Sequence, residues 1–334
     1  MNSNKTLSDY LDIIIKQIAK SCTKVSKTGL MTGTTGIAIL LYHYARYKNQ
    51  PEITEYANHL ITTFSTEIKL DAGLSLDNGL LGIAWGFDYL IKQGFVQAED
   101  DIFEEIDAFL FEENSALYLF DLGIEAEKGL HVWNRLNSCE SSQKNTWTKR
   151  IENCLLNFRD IVMQKYVMYQ LPFFPCKTLI RFFHICQTFR EHSLYRSEID
   201  AVYKELPEIV KISFMEEKRL SDKYLLASML TDIPMFNEHI PKNDITHLMT
   251  GADASNFYLS KLVLDRSISI PEAVNRRLLS IATDHQQIND ILSRLNPDNL
   301  GLGNEAGGLA WALLQWSIEN NPLKANKKAD NEYR

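Results

Sequence analysis

The amino-acid sequence predicts an all-α fold, and more specifically an α/α toroid of about seven helix-pair repeats arranged as an inner and an outer ring. Two observations lead to this prediction. A glycine-containing motif recurs at a nearly constant interval, and helices that are apolar nearly all round alternate with amphipathic helices. No linker-like segment interrupts the 334 residues. We therefore predict a single toroid domain over residues 1–322, followed by a polar C-terminal tail at 323–334.

The recurring motif consists of a leucine, two glycines three residues apart, and an Ile-Ala pair. It occurs at Leu30–Ala38 and again at Leu76–Ala84. The second glycines of the two copies, Gly36 and Gly82, are 46 residues apart. An interval of this length is typical of a repeat made of two helices.

Weaker copies of the motif extend the repeat along the chain. One copy ends at Gly129, 47 residues after the second glycine of the preceding copy. Another, Leu302–Trp311, has Glu305 in place of the first glycine and Gly308 as the second. The stretch between Gly129 and Gly308 has room for about four further periods, which makes about seven repeats in all.

Each repeat pairs two kinds of helix. Ile37–Tyr47 and Leu80–Ile91 are apolar nearly all round, which predicts fully buried inner helices. Ile53–Ile68 and Ile102–Phe111 have apolar residues at three- and four-residue spacing beside charged ones, which predicts half-exposed outer helices. A closed ring of such pairs is the economical way to bury the first kind and cover it with the second.

The glycines at the inner-helix starts have two possible structural causes. A Cβ atom there would collide with a neighbour, or the preceding turn needs a positive φ. The N–H groups at these helix starts are also expected to be free and to offer a place for anions or carbonyl groups in the toroid's mouth.

Composition narrows the classes of partner. The formal net charge is −8, which argues against nucleic acid as the main partner but leaves room for a local basic groove that binds an acidic peptide. The N-terminus lacks the features of a signal peptide, and no apolar stretch reaches the roughly 18 residues of a membrane span. The five cysteines contain no C-x-x-C pair and are expected to be reduced thiols in the cytoplasm.

The residues Gly29–Ala38, Gly79–Trp85 and Gly307–Trp311 resemble the glycine-rich helix starts of the lanthionine synthetase C-like family. The resemblance implies an α/α toroid of seven helix pairs. It also implies a cyclase reaction that adds a cysteine thiol to a dehydrated serine or threonine of a ribosomally made peptide. In that family a zinc ion lowers the pKa of the thiol. A cysteine that opens the fifth inner helix and a Cys-His pair that opens the sixth hold the zinc.

The sequence departs from the family's zinc ligands. Met249 and Thr250 stand before Gly251, where the resemblance places the Cys-His pair, and no cysteine follows Cys186. Thioether and hydroxyl groups are weak zinc donors. We therefore expect no zinc and a catalytically degenerate protein that binds a ribosomally made precursor peptide, or that scaffolds peptide-modifying enzymes. The expected binding residues line the mouth: Asp222, His247, Met249, Thr250, Asn304 and Glu305.

Active enzymes are the alternative. One is a metal-independent cyclase-like protein, and another is a carbohydrate-active toroid with carboxylates as acid and base. Asp77, Asp121 and Glu305 are the candidate carboxylates, with His247 as a further candidate. Helix capping and compensation of the helix dipole are the competing explanation for Asp77 and Glu305. A third alternative is an interaction module that uses an apolar patch on its outer face.

A relocated metal site is a further alternative. Cys176, His184 and Cys186 could form it, with His131 or Cys139 as a fourth ligand. However, residues two apart on a helix point in different directions, so His184 and Cys186 would not share a face. The sequence therefore favours buried structural cysteines.

Overall fold

The computed structural model describes residues 6–65, 73–98, 101–111, 121–169, 173–191, 195–236, 238, 248–264, 268–297 and 300–320. This part of the chain contains fifteen α-helices and no strand, so the all-α prediction is confirmed. His247 and the predicted tail at 323–334 lie outside the described residues. None of the helices in the described ranges is both long enough and apolar enough to cross a membrane.

The helices vary from 8 to 26 residues in length. They are α1 (Leu7–Ser21), α2 (Thr34–Lys48), α3 (Pro51–Ser65), α4 (Leu80–Lys92), α5 (Glu104–Phe111), α6 (Leu122–Ser138), α7 (Lys144–Tyr169), α8 (Cys176–Glu191), α9 (Arg196–Lys204), α10 (Pro207–Glu216), α11 (Leu220–Leu230), α12 (Gly251–Leu264), α13 (Glu272–Thr283), α14 (His285–Ser293) and α15 (Glu305–Glu319). Short 3-10 helices lie at Cys22–Lys24 and Pro234–Phe236.

The chain divides into two compact units, which we call the terminal unit (residues 1–69 and 246–334) and the central unit (residues 70–245). In the terminal unit α12 packs against α15, and α15 packs against α2. These three helices are largely buried, and α1, α3, α13 and α14 pack around them. The apolar residues of α2 and α15 therefore find neighbours on several sides, as their all-round apolar sequence requires.

The central unit contains a second row of helices. In this unit α4 packs against α6, α6 against α8, and α8 against α11. The amphipathic helices α7, α9 and α10 pack onto this row. Each unit therefore combines a row of buried helices with a layer of half-exposed ones, which is the helical-repeat pattern that the sequence predicts. The closed ring of a toroid stays a prediction.

The predicted helices agree closely with the observed ones. Ile37–Tyr47 and Leu80–Ile91 lie within α2 and α4. The predicted helix that starts at Ile53 is observed from Pro51 to Ser65, and residues 66–72 lie outside the described part. The helix expected from Ile102 begins two residues later, because Asp101 accepts the N–H group of Phe103 at 3.1 Å and extends the preceding turn.

The turns that precede α2 and α4 have the same hydrogen-bond pattern. The first N–H group of α2, from Thr34, donates to the Lys27 carbonyl at 2.9 Å, and that of α4, from Leu80, donates to the Gly73 carbonyl at 2.9 Å. The second N–H group of each helix likewise donates to a carbonyl seven residues earlier. The expectation of free N–H groups is therefore wrong at these positions, since the preceding turn already supplies their acceptors.

Close packing explains the glycines of this turn. A Cβ atom on Gly36 would lie 1.9 Å from the Leu30 carbonyl oxygen, and one on Gly79 would lie 2.3 Å from the Gly73 oxygen. The φ angles of Gly33 and Gly79 are −123° and −122°, which any residue can adopt. A steric collision is therefore observed rather than a positive φ, but the nearest atoms belong to the chain's own preceding turn and not to a neighbouring inner helix.

The structure also corrects the alignment of the weaker motif copies. The residue before α15 is Asn304, so Asn304 rather than Glu305 takes the place of the first glycine, and Gly307 takes that of the second. Gly129 lies inside α6 rather than at its start. A Cβ atom on Gly129 would lie 3.0 Å from Ile185 Cγ1 on α8. Glycine spacing alone could not separate a helix start from a close contact between helices.

Candidate functional site

The polar residues around Asp77 form a cluster of four charges in the central unit, which we call the Asp77 cluster. It consists of Asp77, Glu127, Lys177 and Arg181. Asp77 lies in the turn before α4, Glu127 lies on α6, and the two cations lie four residues apart on α8. Lys177 Nζ and Arg181 Nη2 each lie 2.6 Å from an oxygen of Asp77, and Arg181 also contacts Glu127.

The Asp77 cluster links a turn to two helices. Glu127 is only 3% exposed and accepts the backbone N–H group of Leu76 at 2.6 Å. Burial alone raises the pKa of Asp77, but the charges and hydrogen bonds of Arg181 and Lys177 outweigh it and lower the pKa to about 2. Asp77 is therefore a carboxylate at neutral pH and does not cap α4, whose first N–H groups donate to backbone carbonyls.

The other two candidate carboxylates have partners of their own. Asp121 is the N-cap of α6, and its Oδ1 accepts the N–H groups of Gly123 at 2.8 Å and Ile124 at 3.2 Å. Glu305 lies in the first turn of α15, is largely exposed, and lies 3.4 Å from Arg294 Nη1. Capping is thus observed for Asp121, and Glu305 lies where a carboxylate compensates the helix dipole.

Thr250 and Met249 lie at the start of α12. Thr250 and Asp253 form a capping box: Asp253 Oδ2 accepts the N–H group of Thr250 at 2.9 Å and its hydroxyl at 2.7 Å, and Asp253 N–H donates to Thr250 Oγ1 at 3.3 Å. The side chain of Met249 is buried. A Cβ atom on Gly251 would lie 2.1 Å from Ile281 Cδ1, so α13 packs directly against this helix start.

The remaining predicted binding residues are less exposed than a docking surface would be. Asp222 is 2% exposed in the first turn of α11, next to the fully buried Ser221. Asn304 precedes α15 without a capping hydrogen bond from its side chain, and its Nδ2 atom is buried without a hydrogen-bond partner.

The cysteines do not form a metal centre in the described part of the chain. No group of three or more His, Cys, Asp or Glu side chains there could hold a metal ion. Burial raises the pKa of Cys154 to about 12 and also raises the pKa of Cys176 and Cys186. Cys176 Sγ donates to the Ser213 carbonyl at 3.6 Å. These thiols are poor sources of thiolate, so the donor set does not fit zinc.

His131 and Cys139 have partners outside any metal site. His131 Nε2 lies 2.6 Å from Asp107 Oδ1, and Cys139 Sγ donates to the Leu136 carbonyl at 3.4 Å.

A second cluster, which we call the arginine–aromatic cluster, lies between α5, α6 and α7 and was missed by sequence reasoning. Its residues are Asp101, Phe103, Asp107, Phe111, His131, Arg135, Trp147 and Arg150. Arg135 Nε donates to Asp107 Oδ2 at 2.9 Å, and Arg135 also pairs with Asp101. The four-residue spacing of His131 and Arg135 on α6 was the available signal.

No family model matches the chain, and no curated protein and no solved structure matches it. The resemblance of its glycine turns to the lanthionine synthetase C-like family therefore stays a prediction.

Proposed function

We propose that this protein is a lanthionine synthetase C-like α/α toroid that binds a ribosomally made precursor peptide, or holds it for peptide-modifying enzymes, without zinc and without chemistry of its own. The observation that carries the proposal is the start of α12. The proposed family alignment puts a Cys-His ligand pair at this point, whereas Thr250 caps the helix together with Asp253, and Met249 is buried.

The chemistry of the buried cysteine thiols also supports a protein without zinc. A zinc site of this class needs thiolates of the protein as ligands. Cys154, Cys176 and Cys186 are buried, and burial raises the pKa of each of them. These three thiols are therefore poor zinc ligands, and no group of three or more His, Cys, Asp or Glu side chains in the described part of the chain could hold a metal ion.

The carboxylates do not favour a carbohydrate-active enzyme. A glycosidase needs one carboxyl group that is protonated near its working pH. Two cations hold Asp77 ionised with a pKa of about 2, and Asp121 accepts two N–H groups at the start of α6. Both side chains are accounted for by contacts that stabilise the fold.

The repeated architecture supports the toroid part of the proposal. The turns before α2 and α4 have matching hydrogen bonds to carbonyls seven residues earlier. The start of α15 shares the close approach, since a Cβ atom on Gly307 would lie 2.3 Å from the Gly301 oxygen, six residues earlier. Among the described residues the terminal unit contains a row of three buried helices and the central unit a row of four, and their sum equals the seven repeats that the sequence predicts.

Two measurements on the full-length protein test the proposal. The first is zinc analysis after dialysis against zinc, together with mass spectrometry of a peptide that contains dehydroalanine and cysteine. We expect substoichiometric zinc and no thioether product. Stoichiometric zinc or catalysed cyclisation would contradict the proposal.

The second measurement is selection from a displayed library of random linear peptides, followed by affinity measurement on the enriched sequences. We expect enriched peptides that bind the folded protein but not the urea-unfolded protein. Failure to enrich any peptide above an unrelated helical-repeat control would remove the binding part of the proposal.

A further inference from the structure

Arg150 on α7 stacks against two aromatic rings. Its guanidinium carbon lies 4.0 Å from the centroid of Phe111 and 4.2 Å from that of Trp147. The two rings meet edge to face, with centroids 5.9 Å apart and an interplanar angle of 81°. Trp147 is itself buried, while Arg150 is half-buried. This contact holds the guanidinium in one place at the protein surface.

The hydrogen-bond donors of Arg150 have no acceptor among the residues that the structure describes. In the described part of the central unit, every other arginine that is buried or half-buried contacts a carboxylate: Arg135, Arg181 and Arg190. Arg150 has neither a hydrogen bond nor an ion pair with a described residue. Desolvation lowers the pKa of Arg150, attraction to Asp107 opposes it, and repulsion from Arg135 adds a smaller lowering. A partly desolvated guanidinium without an acceptor is unusual, because the lost hydration is not replaced.

The surroundings of Arg150 favour an anion. Lys144 and Lys149 lie on the same helix, are exposed, and have no ion-pair partner among the described residues. In a protein with a net charge of −8, three cations within seven residues that form no ion pair with a described residue make a local basic surface. A guanidinium fixed by stacking presents two parallel donors, which match the two oxygens of a carboxylate.

We infer that Arg150, fixed by Phe111 and Trp147, binds a carboxylate side chain of a peptide ligand. The inference rests on the proposed peptide-binding function and adds to it the chemical class of residue that is recognised. It assigns the first two turns of α7 to an acidic segment of the ligand, with Arg150 as the specific contact and the two lysines as weaker, long-range attraction.

A defined probe tests the inference. The probe is a fluorescein-labelled glycine–serine peptide with four glutamates, and its counterpart has four glutamines. Fluorescence anisotropy measures binding to the wild-type protein, to R150Q and to R150K. The matched control is R159Q, because Arg159 lies on the same helix, is exposed, and already pairs with Asp160 at 3.2 Å.

The expected pattern is specific to one arginine. R150Q should weaken binding of the glutamate probe at least about tenfold, since a charge-assisted hydrogen bond is lost. R159Q should weaken it less than about twofold. R150K keeps the charge but loses the paired donors, so its loss of binding should be smaller than that of R150Q and larger than that of R159Q. Unchanged melting temperatures would exclude misfolding as the cause.

Several results would overturn the inference. These are equal binding of the glutamate and glutamine probes, equal losses in R150Q and R159Q, and no binding of the glutamate probe to the wild type. Glu112 and Glu113 follow Phe111 in the sequence. The variant E112Q/E113Q should therefore bind the probe at least as tightly as the wild type, and weaker binding would contradict a site for carboxylates.

The outcomes separate this inference from the proposed function. Library peptides that bind with equal affinity to the wild type and to R150Q would overturn the inference and keep the proposed function. A glutamate probe that binds through Arg150, combined with failure of the library selection, would keep the carboxylate site and remove the proposed function.

Discussion

Replacement of Asp77 by asparagine tests the role of the Asp77 cluster most directly. The change removes the negative charge that two cations contact at 2.6 Å, and it leaves Arg181 with Glu127 as its carboxylate partner. The Asp77 side chain is 30% exposed, so solvent screens part of the interaction. We therefore expect D77N to be less stable than the wild type at pH 7.

The size of the effect follows from linkage. The pKa of Asp77 is lowered from 3.8 to about 2, and each pKa unit corresponds to about 1.4 kcal/mol. The ionised group therefore stabilises the folded state by about 2 kcal/mol at pH 7, as an upper value before screening is considered. Because the folded pKa lies below the unfolded one, this stability is present above pH 4 and is lost as the pH falls through 2. About half of it should remain at pH 3.

Urea unfolding at pH 7, 4 and 3 measures the effect. The free energy of unfolding is compared between the wild type and D77N at each pH, so that titration of other carboxyl groups cancels. D160N is the matched control, because Asp160 is 58% exposed and its pair with Arg159 should contribute less than about 0.5 kcal/mol.

Two results would refute the reasoning about Asp77. One is a D77N variant within about 0.5 kcal/mol of the wild type at pH 7, which would mean that screening and desolvation cancel the attraction. The other is a difference that stays constant from pH 7 to pH 3, which would mean that a contact other than the ion pairs is responsible.

Three further predictions concern the helix starts and the thiols. T250A should lose about 1 kcal/mol of unfolding free energy in urea titration because the capping hydrogen bonds at α12 are lost, whereas T250S should keep most of it. G36A should lose more than about 2 kcal/mol or fail to fold, because its Cβ atom would lie 1.9 Å from the Leu30 oxygen. Cys154 and Cys186 should resist iodoacetamide at pH 8 in the native protein and react in urea, as mass spectrometry of peptides can measure, because burial raises the pKa of both thiols.

Each of these has a clear contrary result. A T250A variant as stable as T250S would mean that Thr250 does not cap α12 in solution. A G36A variant with wild-type stability would mean that the turn before α2 can move away from the helix at little cost. Rapid alkylation of Cys154 or Cys186 in the native state would reveal an accessible thiolate and would weaken the argument against thiol chemistry.

The class of the fold could be predicted because its signals are local. Burial of a helix on all sides requires an all-round apolar sequence, and α2 and α4 were recognised in this way within three residues of their ends. The close approach of a turn to a helix start requires glycine, so the first glycine of the motif, Gly33 and then Gly79, recurs with the structure that needs it. Alternation of the two helix types then predicted helical repeats.

Other features depended on residues far apart in the chain. Asp77 resembled a helix cap in the sequence, yet its partners Lys177 and Arg181 lie 100 and 104 residues further on. The stacking of Arg150 likewise depends on residues of two helices, since Phe111 lies on α5 and Trp147 on α7, and Arg150 has the same local sequence signals as any surface arginine.

The sequence by itself determined the all-α class, the repeated glycine turn and the limits of several helices, since each depends on neighbouring residues and on hydrophobic period. Only the tertiary structure decided that Asn304 replaces the first glycine before α15, that Thr250 pairs with Asp253, and that Arg150 stacks on Phe111 and Trp147. The physical reason is that charge pairing and burial depend on distances in space, which packing sets and residue spacing along a chain does not contain.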